Sequence, residues 1–196
     1  MMVMYTNSLT KNSNSLDTVG VALKSTDTLT AGKIKAKDVA YLGVMVALLE
    51  IAKVALAVIP NVELVSLLLI VFTRVMGRKT YLVTLGYAVI ECLMWGMGTW
   101  VIMYLYVWPI LVLAIRILDR LHIESSFAYS VVSGAFGLLF GAFSSLTYVA
   151  IGGWSMGMSW WISGIPFDLI HGVSNFVICL ILYKPLNKIT GQVIKQ

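Results

Sequence analysis

The sequence predicts an all-α integral membrane protein with six transmembrane helices, and two observations support this fold class. First, 59% of the 196 residues are hydrophobic and only 12% are charged, whereas soluble domains average about 25% charged residues. Second, the apolar residues form runs of the length that a membrane-spanning helix needs, about 20 residues. The composition argues against a soluble enzyme and against a disordered protein, since it leaves too little polar surface for the first and is too apolar for the second.

A polar segment precedes the apolar runs. Residues 1–32 are rich in Ser, Thr and Asn and contain no apolar stretch of the kind found in a signal peptide. We therefore expect a disordered cytoplasmic tail at 1–37, a membrane domain at 38–190 and a short cytoplasmic tail at 191–196.

The six expected spans follow from the apolar runs and from the breaks between them. The second run is short for a full span and must tilt or continue towards the basic cluster behind it. The run from 81 to 118 is too long for one helix, and we expect Gly96 and Gly98 to form a turn within it. A glycine-rich connector at 152–157 precedes the last span. In order, the expected spans are 39–59, 62–77, 80–97, 99–118, 125–151 and 160–183.

The basic residues predict the orientation. If the N-terminus is cytoplasmic, then the N-terminal tail, the turns at 74–79 and 116–124 and the C-terminus all lie on the cytoplasmic side. These regions hold thirteen of the fourteen Lys and Arg residues, and Lys53 is the exception. Positive charge concentrates in cytoplasmic loops, so both termini are expected inside. The net charge of +5 is then explained by topology, and no nucleic-acid partner is expected.

Sequence motifs for cofactors and energy sources are missing from the chain. Cys92 and Cys179 are isolated inside apolar runs and form no CxxC pair, and the buried polar residues include a single His. We therefore expect no metal and no cofactor. No phosphate-binding loop is present, so any uphill transport must draw its energy from a partner or from an ion gradient.

Several ionisable residues fall within the apolar runs, where each is costly and indicates function. All of them fall in the outer half of the expected bilayer or near its middle. Asp168, His171 and Asn175 also share one face of the last helix. One interpretation is that Glu50–Lys53 and Asp168–His171 are ion pairs that only orient helices, and the other is that these residues form a pocket. The ionisable set is Glu50, Lys53, Glu63, Glu91, Asp168 and His171.

Tryptophans concentrate at the same outer ends, although tryptophan belts normally occur at both interfaces. Aromatic walls around a few polar groups suit a small organic solute, while interface anchoring alone remains the alternative. A positively charged, amine-bearing or hydrogen-bonding heterocyclic solute is favoured over a dianion, because carboxylates dominate the buried charge. The predicted solute-binding residues are Glu63, Glu91, Trp95, Trp154, Trp160, Trp161, Asp168, His171 and Asn175.

Two sets of small residues could allow close helix packing. Gly43 and Ala47 are four residues apart on the first helix, and Gly134, Gly137 and Gly141 form a competing face on the fifth. Small residues let helices approach closely in lipid.

Three strings carry a resemblance to a known family. They are IPNVELV at 59–65, YLYVWP at 104–109 and GIPFDLIHG at 164–172, which runs on to Asn175. With the size, helix number and orientation, residues 38–190 resemble the substrate-binding S components of energy-coupling factor (ECF) transporters, which are vitamin-uptake systems of prokaryotes.

The resemblance implies a multi-pass protein of a prokaryotic cell membrane that captures a vitamin or related micronutrient from outside and is not itself an enzyme. A membrane-embedded coupling protein and two cytoplasmic ATPases would supply the work. By the same resemblance, Gly43 and Ala47 would contact the coupling protein, Pro60 and Asn61 would belong to a gating loop, and the connector with residues 154–161 would cap the solute.

Two other function classes remain open. A freestanding secondary transporter could use Asp168 or Glu91 as a proton-coupling carboxylate, although six spans without evident inverted repeats would be small for one. An intramembrane enzyme could use Glu91, Asp168 and His171 as acid–base groups, although no nucleophile or metal motif accompanies them.

Overall fold

All regular secondary structure is helical in the part of the chain that the computed structural model describes, residues 34–195. The polar tail expected at 1–37 therefore lies almost entirely outside the described residues. A short 3-10 turn, Gly77–Lys79, joins the second helix to the third. The helices are α1 Ala36–Leu56, α2 Val65–Met76, α3 Thr80–Trp95, α4 Thr99–Arg120, α5 Ser126–Leu138 and α6 Phe140–Lys195.

The break between α3 and α4 confirms the turn expected at Gly96 and Gly98. Gly96 has φ of 83° and closes α3 by donating its N–H to the carbonyl of Cys92 at 3.0 Å. A positive φ is a conformation that glycine adopts without steric cost. The apolar run from 81 to 118 is too long for one helix and contains both glycines, so the sequence pattern identified this turn correctly.

The chain after residue 125 departs from expectation in three places. The connector expected at 152–157 is helical apart from Gly153, whose φ of 78° breaks α6 into a first part (α6a, residues 140–152) and a second part (α6b, residues 154–195). The fifth span, expected without interruption at 125–151, comprises α5 and α6a, and Leu139 between them keeps a helical backbone. The last helix also continues through Pro185 to Lys195, so the separate tail expected at 191–196 is helical over its described residues.

Three helical stretches of the described chain are long and apolar enough to cross a membrane. They are Ala36–Leu56, Thr99–Arg120 and the 69-residue stretch Ser126–Ile194, which combines α5 and α6. A straight helix of that last length would span about 100 Å, against about 30 Å of hydrocarbon in a bilayer. The stretch folds back at Gly153, and α6b packs against α5 and α6a.

Helix α2 occupies the centre of the bundle. Its residues from Val65 to Thr73 are buried with the single exception of Leu68, which is half-buried. A helix that is apolar on all sides is typical of such an enclosed position. Its main neighbours are α4 and α6, so α2 joins these two helices in the interior of the bundle.

Glycines set the spacing between α5–α6a and α6b. A Cβ atom at Gly137 would lie 2.8 Å from the backbone carbonyl of His171, and one at Gly134 would lie 3.0 Å from the Cβ of Phe176. On the opposite helix, a Cβ at Gly172 would lie 3.0 Å from the carbonyl oxygen of Gly134. The distance at Gly137 is too short for a Cβ unless the backbone moves, and the distances at Gly134 and Gly172 leave almost no room for one. The expected close-packing face on the fifth span is therefore confirmed.

Ion pairs join the helix ends that carry the basic residues. Arg74 pairs with Asp119 and also, at 2.9 Å, with Glu124, while Lys79 lies 2.7 Å from the carboxylate of Asp38. The start of α1, the end of α2 and the end of α4 therefore lie at one end of the bundle, which we call the basic end.

We expect Gly137→Ala to lower the free energy of unfolding by about 1–3 kcal/mol, because the added methyl group forces two backbones apart. Gly164→Ala on α6b is the matched control, since nothing lies within 4 Å of a Cβ there. Denaturant unfolding of the purified protein in detergent measures both. Equal effects of the two substitutions would contradict this packing.

The loop residue Glu124 predicts a pH dependence at the basic end. Its hydrogen bond with Arg74 and the charge of that residue hold the pKa of the Glu124 carboxyl below its usual 4.5. A lowered pKa stabilises the folded state above pH 4.5, and this contribution is lost as the pH falls through the lowered value. Glu124→Gln should therefore reduce the thermal unfolding midpoint slightly at pH 7, and the difference from wild type should vanish in acid. A difference independent of pH would contradict this assignment.

Candidate functional site

Asp168 is held in position by the close approach of α6a and α6b. Its Oδ1 accepts a hydrogen bond from the backbone N–H of Gly141 at 2.9 Å, and a Cβ at Gly141 would lie 2.8 Å from the same oxygen. The side chain is 7% exposed, and Oδ2 has no hydrogen-bond partner among the described residues. A glycine at 141 therefore leaves room for both carboxylate oxygens against α6a, where Oδ1 is hydrogen-bonded and Oδ2 is buried without a partner in the described chain.

A cavity of about 370 Å³ lies beside this carboxylate. That volume lies within the range of small-molecule sites, about 300–1,000 Å³. Its lining combines aromatic rings with a few polar groups, and the residues that matter here are Asn61, Phe140, Ser144, Trp160, Phe167 and Asp168. An aromatic wall beside a buried carboxylate is suited to a flat organic group that donates a hydrogen bond.

Trp160 forms a fixed wall of this cavity. Its indole N–H donates to the hydroxyl of Ser144 at 3.1 Å. Its ring stacks on Tyr148 with the ring centres 3.9 Å apart and the planes 20° apart. Both partners belong to α6a, so the tryptophan is oriented by the helix across from its own.

The segment between α1 and α2 closes another side of the cavity through Asn61. This residue has a positive φ of 59°, which Asn tolerates better than most residues. Its carbonyl accepts a hydrogen bond from the hydroxyl of Ser174 at 3.1 Å. The expected gating loop thus contacts α6b directly, while the neighbouring Pro60 is exposed.

Glu63 and His171 form a pair that sequence spacing did not predict. The carboxylate of Glu63 lies 3.3 Å from His171 Nε2 and also accepts the backbone N–H of Ser66 at 2.8 Å. Asn175 donates to the Ser66 hydroxyl at 3.2 Å. The interpretation of Asp168–His171 as an ion pair is therefore wrong, because the imidazole faces the loop and the start of α2.

A second polar cluster lies between α1 and α3. Lys53 forms an ion pair with Glu91, and the Trp95 indole N–H donates to Glu50 at 3.3 Å. The Lys53 ammonium lies over the Trp95 ring at 5.3 Å. The alternative pairing of Lys53 with Glu50 is thus wrong, since the lysine reaches across to the neighbouring helix instead.

The other residues predicted to bind solute or the coupling protein lie apart from the cavity and from the two polar clusters. Trp154 is 72% exposed, and Trp161 is half-buried. On α1, Gly43 and Ala47 are both exposed, and nothing lies within 4 Å of a Cβ at Gly43. That face of α1 is open along these two residues.

Sequence reasoning missed the aromatic residues that connect the cavity to α4. Phe140 packs edge-on against His171, with ring centres 4.9 Å apart, and Trp108 lies 5.8 Å from Phe140. Tyr104 continues the row at 5.4 Å from Trp108. The string YLYVWP at 104–109 includes Tyr104 and Trp108 of this row. For Phe140, the sequence offered no indication except its position beside the glycines of the fifth span.

Within residues 34–195, no group of three or more His, Cys, Asp or Glu side chains is arranged to hold a metal ion. The described polar residues offer hydrogen-bonding and charge-pairing chemistry. No protein-family model, curated protein or solved structure matches the chain with significant similarity.

Proposed function

We propose that this chain is the solute-capture subunit of an ECF-type, ATP-driven uptake transporter and binds a vitamin or related small organic micronutrient from outside the cell. The observation that carries the proposal is the Asp168 carboxylate, which Gly141 holds by one oxygen at the edge of an aromatic-lined cavity while the other oxygen has no partner in the described chain.

The proposed topology has six spans with both termini inside. Its support is the basic end, where Arg74 and Lys79 meet the helix ends of α4 and α1 through ion pairs. Cytoplasmic loops are enriched in positive charge. The cavity beside Asp168 and Trp160 then belongs to the outer half.

The proposed gate is the segment between α1 and α2. It is attached to α6b by the Ser174–Asn61 and His171–Glu63 hydrogen bonds. A typical hydrogen bond contributes about 1 kcal/mol net, so this segment can separate from α6b at modest cost and admit a solute. Glu63 and His171 thus act mainly on the gate, Asn175 attaches α6b to the start of α2, and Asp168 and Trp160 contact the solute.

A proton-coupled carrier is the second candidate function, and the observation in its favour is Glu91. This carboxylate is 1% exposed, and its Oε1 has no partner in the described part of the chain. Buried carboxylates of this kind mark proton pathways in transporters. The six-helix size and the separate cavity favour the capture subunit.

Solute binding tests the cavity. We expect Asp168→Asn to weaken the affinity for the co-purified solute by about 10- to 100-fold, because a charge-assisted hydrogen bond of about 1.5–3 kcal/mol is lost. The solute is first identified by mass spectrometry of the purified protein and then titrated by calorimetry.

Trp160→Ala should likewise weaken binding, and Trp154→Ala is its matched control because Trp154 is exposed and does not line the cavity. Both variants must keep the wild-type unfolding midpoint within error. Unchanged affinity in Asp168→Asn and Trp160→Ala would remove the cavity as the solute site.

The open face of α1 is the proposed contact with the coupling protein. We expect Gly43→Leu to abolish co-purification with the coupling protein and its ATPases, because the added side chain prevents close helix approach. Ala150→Leu, at an exposed position of α6a, is the control. An intact complex in Gly43→Leu would refute this contact, and solute affinity should be unchanged in both variants.

A further inference from the structure

The cluster between α1 and α3 carries an imbalance of charge. Glu91 is 1% exposed and Glu50 is 7% exposed. One cation, Lys53, forms an ion pair with Glu91. If every group were ionised, two carboxylates and one ammonium would leave one uncompensated negative charge, and an isolated charge in an apolar interior is costly.

The hydrogen bonds show a matching deficit. Each carboxylate uses one oxygen, since Glu50 Oε1 accepts from the Trp95 indole and Glu91 Oε2 contacts Lys53. Glu50 Oε2 and Glu91 Oε1 are both buried without a donor in the described chain. Both carboxylates belong to one contact group, because Glu91 contacts Lys53, the Lys53 ammonium lies over the Trp95 ring, and the Trp95 indole donates to Glu50. Two ionised carboxylates cannot bond to each other, because both are acceptors only.

We propose that Glu50 and Glu91 bind one proton between them, which makes this cluster a proton-binding site distinct from the solute cavity. With that proton, one of the two unpartnered oxygens becomes a hydroxyl group that can donate a hydrogen bond. The same proton brings the cluster to electrical neutrality. Charge balance therefore requires one proton for the two carboxylates.

The surroundings favour a proton over a larger cation. The Lys53 ammonium is already paired with Glu91 and lies over the Trp95 ring. Tyr87 faces the cluster one turn before Glu91 on α3; it is fully buried, and its hydroxyl has no partner in the described residues. A phenol stays protonated at neutral pH, so it adds a donor and no compensating charge.

Two further titratable groups face this region from other elements. Tyr104 of α4 stacks on Tyr87 with the ring centres 5.7 Å apart. Glu63, from the segment before α2, is close enough to interact electrostatically with both tyrosines. Glu63 is paired with His171, so neither group supplies the positive charge that the cluster lacks.

Infrared spectroscopy of the protein in lipid nanodiscs tests the proposal, because a protonated carboxyl has a C=O stretch that a carboxylate lacks. The measurements use an Asp168→Asn background, which removes the other buried carboxyl with an unpartnered oxygen. At pH 7 we expect one protonated carboxyl per chain, with the band shifting in D₂O.

The variants then give a specific pattern. Glu50→Gln should remove the band, because Lys53 and Glu91 remain as a neutral pair. Glu91→Gln should also remove it, because Glu50 then ionises beside Lys53. Lys53→Met should raise the band to about twice its intensity, since both carboxyls become neutral without the cation.

If the Asp168→Asn protein shows no protonated-carboxyl band at pH 7, the proposal is overturned, whatever the other variants show. A band that survives either Glu50→Gln or Glu91→Gln would also overturn it. Solute affinity is measured separately, so failure here is distinguishable from failure of the solute cavity.

Discussion

The close approach of α6b to α5 and α6a is the constraint on which the candidate solute site depends. In lipid, helices are not driven together by the hydrophobic effect, so contact relies on packing and hydrogen bonds. Gly137 removes the side chain that would collide with the backbone at His171, and Gly141 leaves space for the Asp168 carboxylate and supplies its hydrogen bond. The glycine face therefore does more than bring two helices together, since it also places a buried carboxylate at the edge of a cavity.

The buried polar groups divide into two clusters of different character. In the cluster between the α1–α2 segment and α6b, one carboxylate, Glu63, meets one imidazole, His171, across a loop–helix contact. In the cluster between α1 and α3, the carboxylates outnumber the ammonium, and two oxygens have no partner in the described chain. The first arrangement suits a movable segment. The second suits a stored proton, which would leave α1 attached to α3 through a neutral contact.

Helix positions were largely predictable, and side-chain partners were not. The turn at Gly96 followed from a long apolar run interrupted by glycine, and helix-breaking residues act locally. The one-turn spacing of Glu50 and Lys53 suggested an ion pair between them, but Lys53 pairs with Glu91 on another helix. His171 similarly pairs with Glu63, 108 positions away in the chain. Such contacts depend on how helices pack, and spacing along one helix contains no information about that.

The central claim is that the chain captures a solute and depends on other subunits for energy. Uptake of the identified solute into proteoliposomes tests it most directly. The chain is reconstituted alone or with a coupling protein and ATPases, each with and without ATP and with and without an imposed proton gradient. Accumulation only with the full set and ATP is the predicted result. Accumulation by the chain alone, driven by the proton gradient, would contradict the account.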